Sequence, residues 1–218
     1  MHLYVNEAIG SVHSEINESK NPKYVMVLSH GAGAGIHHSF MEQMALNLSS
    51  FHGHVFRFNF PYIEAGKKAP GPQHVSLSTI EAAIAKMEKQ YWGLPIVVAG
   101  KSYGGRMSSH LLADGFTKKM QALVYLGFPL HAPGKEGIER AKHLKGIKIP
   151  QLFVQGSKDK LANLELIKQV IKDLDKVDLH VIKDGDHSFK LPKRNKVTPE
   201  DMNQTIAKKV DEWILSFL

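Results

Sequence analysis

The sequence predicts an α/β protein, a three-layer αβα sandwich built on a mostly parallel sheet. Three observations point there. From residue 24 onward, apolar segments of strand length alternate with segments of helical periodicity, with no repeat and no linker. The strand-length segments, such as Tyr24-Val25-Met26-Val27-Leu28-Ser29, are continuously apolar, as expected of strands covered on both faces. The residue types that carry chemistry follow directly on those segments, where the carboxyl ends of parallel strands gather.

Taken in order, residues 3–16 alternate weakly around Gly10-Ser11 and read as an antiparallel hairpin at a sheet edge. The 24–29 strand runs into His30-Gly31-Ala32-Gly33-Ala34-Gly35, a loop of very small residues. Ser39 with Glu42 has the spacing of a capping box, and Met41, Met44, Leu48 and Phe51 follow at helical intervals. A strand over 54–60 is closed by Pro61, and residues 64–73, rich in Gly, Pro and Lys, read as loop. Ser78 and Glu81 suggest a second capping box, ahead of a helix lined by Ile80, Ile84, Met87 and Tyr91. Strands are expected at 95–100, 122–126, 150–155 and 177–182. Helices are expected at 103–115, along Leu164, Ile167, Ile171 and Leu174, and from Thr198 to the end. That last helix is marked by Thr198-Pro199-Glu200-Asp201, a cap residue, a proline at the first helical position and an acid at the third.

The chemistry begins at Gly100-Lys101-Ser102-Tyr103-Gly104, which fits G-x-S-x-G, the nucleophile elbow. Such a turn needs glycine on either side of a serine held at its apex. A serine hydroxyl needs a base to take its proton, and the base needs a carboxylate to fix its tautomer. Past the 150–155 strand lies Asp159, and past the 177–182 strand lies His187, in the chain order such an elbow requires. Asp159 also has the position of a cap for a helix starting near Leu161. Asp184 and Asp186 are the other acids at hand, but they share the loop of His187 and are poorly placed to reach its far ring nitrogen. An oxyanion hole would take the backbone amide of Tyr103 and one from the loop after the 24–29 strand, Ala32 first and Gly33 next. His30 reads as a structural loop histidine.

Composition bounds the alternatives. The 218 residues, 43% hydrophobic and 22% charged, suit one domain spanning 1–218. With no cysteine, disulfides, thiolate metal sites and a thiol nucleophile are excluded. The net charge of +7 comes from scattered lysines, apart from the run Lys190-Leu191-Pro192-Lys193-Arg194-Asn195-Lys196, and reads as a solvated surface. A nucleic-acid partner would want an aromatic platform that is lacking. No metal and no cofactor is expected. His37-His38 has no nearby carboxylate at ligand spacing, and no His-Glu-x-x-His is present. Gly100-Lys101-Ser102 is not a P-loop, since position 95 is proline, and Gly31, Gly33 and Gly35 miss the dinucleotide spacing. With neither a cationic-then-apolar leader nor a bilayer-length apolar run, no membrane partner and a cytoplasmic location are expected.

With these residues in hand, the chain resembles the α/β-hydrolases, and is distantly similar to dienelactone hydrolases. Within them it resembles most the small branch shared with testis-expressed-thirty and NSL-complex-subunit-three-like proteins. The resemblance rests on Ser29-His30-Gly31-Ala32-Gly33-Ala34-Gly35, Arg57-Phe58-Asn59-Phe60-Pro61-Tyr62 and Gly100-Lys101-Ser102-Tyr103-Gly104-Gly105-Arg106-Met107. It continues in Gly127-Phe128-Pro129-Leu130-His131-Ala132-Pro133-Gly134-Lys135, Val154-Gln155-Gly156-Ser157-Lys158-Asp159 and Asp184-Gly185-Asp186-His187-Ser188-Phe189-Lys190. It implies Ser102, Asp159 and His187 as nucleophile, acid and base. Lys160-Leu161 departs from the branch, which more often has proline and an aromatic there. The 127–149 region, where many α/β-hydrolases carry a lid, is short and holds at most one helix through Ile138 and Leu144, so a minimal lid or none is implied. The expected function is hydrolysis of a small ester or thioester, polar or anionic, on a site rimmed by the Lys190–Lys196 run with Lys101 nearby. The alternative is a catalytically quiet module of the same fold that uses this face to hold a protein partner, as relatives in chromatin-modifying assemblies suggest.

Overall fold

Eight strands form one twisted sheet in the computed structural model, which describes residues 1–116 and 120–218. β1 (His2–Asn6) and β2 (Gly10–Asn17) make the expected edge hairpin, and β2 continues antiparallel onto β4 (Gly53–Phe58). β3 (Tyr24–Ser29) lies between β4 and β5 (Ile96–Lys101), parallel to both. β6 (Met120–Leu126), β7 (Gln151–Gly156) and β8 (Val177–Ile182) extend the parallel part. β3, β4 and β7 are buried along their whole length, which is why their sequences show no alternation.

Helices cover both faces. α1 (Ser39–Ser50) and α6 (Pro199–Leu215) pack on one, around Met26, Leu28, Met44, Val124, Ile206 and Val210. The four-residue α2 (Pro61–Glu64), α3 (Gln73–Gln90), α4 (Tyr103–Ala113) and α5 (Leu164–Lys172) serve the other, around Val27, Phe58, Ile84, Met107, Phe153 and Ile167. The sandwich therefore has the three layers expected. Between β6 and β7 the chain forms only a 3₁₀ segment, Glu139–Gly146, so nothing the size of a lid is inserted there.

Three local readings need correction. Helix α1 is capped by His38, whose ring accepts from the Phe40 amide, so Ser39 is already inside the helix and the Ser39/Glu42 box does not form. α3 starts at Gln73, straight after an extended Pro72, and Ser78 lies within it. Two other hydroxyls inside this helix have partners of their own. Ser76 bonds the Tyr103 hydroxyl at 2.9 Å, and Thr79 turns back onto the Val75 carbonyl. β4 ends at Phe58, two residues early, because Phe60 is the cap position of α2 with Pro61 first in it. The Thr198 box forms as read, with reciprocal bonds between Thr198 and Asp201.

The topology fixes where a site can lie. From β3 the chain steps to β4 on one side, then crosses to β5 on the other. Helices α1 and α4, which follow β3 and β5, therefore leave toward opposite faces and open a crevice between the two carboxyl ends.

Candidate active site

Ser102 stands in that crevice, at the junction of β5 and α4, with φ 50° and ψ −111°. A side chain rarely adopts this conformation, and the surrounding glycines are what let the turn close. A Cβ on Gly100 would lie 2.1 Å from the Gly105 nitrogen, and one on Gly104 would lie 2.5 Å from the Ser29 carbonyl oxygen. Both glycines of the motif are thus steric requirements of the packing.

The sequence-predicted partners come together around it. His187, on the loop after β8, meets the Ser102 Oγ through Nε2 at 2.8 Å, and its Nδ1 meets Asp159 Oδ2 at 2.7 Å. The Asp159 side chain is fully buried and that of His187 is 22% exposed, so the imidazole is the part open to an incoming molecule. Asp159 also accepts from the Leu161 amide at 2.7 Å and from Gln155 Nε2 at 2.6 Å. It shapes its own turn as well as holding the histidine, while the cap of α5 is Asn163. The two oxygens of this buried carboxylate thus take three hydrogen bonds. Asp184 and Asp186 are engaged elsewhere. Asp184 faces Arg194 at 3.9 Å, and Asp186 accepts from the Ser188 and Lys190 amides.

Tyr103 is the first residue of α4, where an amide has no acceptor inside the helix. The loop carrying Ala32 runs alongside, since a Cβ on Gly31 would lie 3.7 Å from the Ser102 Cβ. His30 holds the base of this loop. Its Nδ1 bonds the Gly31 carbonyl at 2.8 Å, and its Nε2 accepts from the Phe60 amide at 2.9 Å. Burial lowers its pKa to about 4, against a smaller opposing pull from the Gly31 carbonyl. A neutral ring with both nitrogens in use is a structural histidine, as the sequence suggested.

Lys101 differs from expectation. It does not join a basic rim. Its ammonium is enclosed, donates to the His187 carbonyl at 2.5 Å and lies 4.9 Å from the Phe189 ring and 5.7 Å from the Phe40 ring. Burial lowers its pKa to about 8, while Asp159 and then Asp186 pull it back up. The exposed residues Lys190, Lys193, Arg194 and Lys196 remain beside the His187 loop.

Three supporting residues were not singled out from the sequence. Gln155, fully buried at the end of β7, ties Asp159 to the Phe128 amide. Asn59 accepts from the Ile36 amide, and Arg57, 3% exposed, donates to the Ile36 carbonyl. Together they anchor the far end of the Ala32 loop. The available signal was polarity out of place, an amide ending an apolar strand and an arginine and an asparagine set among phenylalanines.

Residues 22–215 match the alpha/beta hydrolase domain family. Among solved structures, the chain is similar to an α/β serine hydrolase without lid from Xanthomonas campestris. Identity is 17%, coverage is 98% of this chain and 93% of that one, and the TM-score is 0.75. It is similar to a dienelactone hydrolase from Anabaena variabilis, with 16% identity, 99% and 95% coverage and a TM-score of 0.77. It is also similar to Est1E from Butyrivibrio proteoclasticus with ferulic acid bound, with 15% identity, 99% and 98% coverage and a TM-score of 0.76.

Proposed function

The chain belongs to the alpha/beta hydrolase domain family, and from that premise we propose that it is a serine hydrolase acting on small esters or thioesters through an acyl-enzyme on Ser102. The observation that carries this reading is the unbroken run of hydrogen bonds from the Ser102 Oγ through His187 to Asp159, at 2.8 and 2.7 Å. In this reading the Ser102 hydroxyl gives its proton to His187 Nε2 as the oxygen attacks the carbonyl carbon. Asp159 keeps the Nδ1 proton in place and stabilises the imidazolium. The developing oxyanion takes bonds from the amides of Tyr103 and Ala32. His187 then protonates the leaving group. A water molecule, losing its proton to the same nitrogen, cleaves the acyl-enzyme. No cofactor enters these steps.

The whole chain, 1–218, acts as one unit in the cytoplasm, within the branch shared with testis-expressed-thirty and NSL-complex-subunit-three-like proteins. The absence of a lid-sized insertion between β6 and β7 supports small acyl groups, and the exposed lysines beside His187 support polar or anionic carriers. Labelling with a fluorophosphonate probe and release of nitrophenol from p-nitrophenyl acetate test the reading together. Both are expected for the wild type. Ser102→Ala is expected to lose the label and to drop the rate by a factor of about 10³ or more. A folded wild-type protein that does neither would favour a quiet binding module instead.

A further inference from the structure

Where β2 meets the end of the Ala32 loop, the fold gathers a second set of side chains. His13 and Glu15, two apart in β2, project from the same face of that strand. His37, just before α1, closes on them. The Glu15 Oε1 lies 3.5 Å from His13 Nε2 and 3.7 Å from His37 Nε2, and the three ligand atoms all fall within 4.8 Å of one another. Four ligands about 2.0–2.1 Å from a tetrahedral zinc ion are separated by roughly 3.3–3.4 Å, so the two Glu15 edges need to shorten by only a few tenths of an ångström, and the exposed histidine rings close the third edge by rotating toward the ion. An octahedral ion at the same bond lengths would want roughly 3.0 Å.

Exposed histidine–carboxylate contacts are common, and what distinguishes this one is the support behind the ligands. The Nδ1 of His37, the nitrogen turned away from the cluster, bonds Glu42 Oε1 at 3.2 Å. That is the carboxylate–histidine arrangement that fixes a metal-bound ring's tautomer and raises its basicity. The second oxygen of Glu15 is held at 3.0 Å by the buried Arg57, which leaves the first oxygen directed at the histidines. The sequence offered His37 no carboxylate at ligand spacing; the fold supplies one from a neighbouring strand and one from the first turn of α1.

We propose that His13, Glu15 and His37 bind a divalent transition metal, zinc by ligand type and geometry, and that the ion ties β2 to the loop carrying Ala32. With side-chain exposures of 35%, 34% and 62%, the site is open to solvent, so water completes the coordination. Metal binding here stands apart from ester hydrolysis and can fail or succeed independently of it.

The test uses the full chain without an affinity tag, stripped with EDTA and titrated with Zn²⁺ calorimetrically. A parallel titration uses Co²⁺, followed by its visible absorption. The expected result is one equivalent bound at micromolar or tighter affinity, with the strong d–d bands of four-coordinate cobalt. Glu42→Gln should weaken binding roughly ten- to a hundredfold, and His13→Ala and His37→Ala should each weaken it further. His110→Ala and His143→Ala, which alter a stacked histidine pair elsewhere, should leave it unchanged. Thermal melts confirm that each variant is folded. Zinc should raise the melting temperature of the wild type and not that of His37→Ala. No stoichiometric binding below millimolar zinc, or equal binding by the wild type and both His13 and His37 variants, would overturn the proposal.

Discussion

A buried imidazole keeps both of its neighbours only while it stays neutral. His30 donates from one nitrogen to the Gly31 carbonyl and accepts at the other from the Phe60 amide, so a second proton would cost it the Phe60 bond. Its folded pKa of about 4 lies below the ordinary 6.5. Between those values the unfolded chain carries the proton and the folded one does not, so stability is fully present above pH 6.5 and is lost as pH falls toward 4. His30 alone accounts for about 3 kcal/mol over that interval. His143, lowered to about 4 by burial first and then by His110 and Arg106, acts in the same direction. Urea unfolding at pH 7 and pH 4.5 should show the loss, and ¹⁵N shifts should show the His30 ring neutral until near pH 4. A ring that titrates near 6.5 would contradict the account.

At the scale of elements, α6 offers the clearest test of how local signals become structure. Its capping box satisfies the Asp201 amide and returns a carboxylate to Thr198. Further along, Asp211 accepts from the Tyr24 hydroxyl at 3.0 Å, locking the helix to the central strand. Thr198→Ala should cost about 1 kcal/mol, seen as a melting temperature lower by about 2–4 °C, with nitrophenyl acetate hydrolysis unchanged. The Thr198 signal was legible because cap, proline and acid act within four residues. The elbow was legible for the same reason, and β3, β4 and β7 because burial on both faces removes alternation. Ser78-Glu81 has the spacing of a cap, yet Pro72 starts the helix earlier, and only the packing of Ser76 against Tyr103 shows why a hydroxyl belongs in its interior. Gln155, Asn59 and Glu15 were not legible because the Phe128 amide, the Ile36 amide and the His37 ring that they meet lie on other elements, and spacing along one chain does not register such meetings.

Over the whole molecule, charge makes a further demand on the proposed reaction. The chain carries +7, and Lys190, Lys193, Arg194 and Lys196 stand exposed on the segment that follows His187. At an ionic strength of about 0.01 M the screening length is about 30 Å, so the field of the whole protein can draw in an anionic ester. At about 0.15 M it shrinks to about 8 Å, and only the charges at the rim still act. For an acetyl ester bearing a carboxylate on its leaving group, kcat/KM should therefore fall several-fold between these salt concentrations. The value for a neutral acetyl ester should hold steady. Replacing Lys193, Arg194 and Lys196 together by glutamate should remove most of the anionic preference that survives at 0.15 M, while leaving the neutral ester's rate intact. Rates indifferent to salt for both esters, or a preference for long neutral acyl chains, would mean that the basic run does not face the substrate's path.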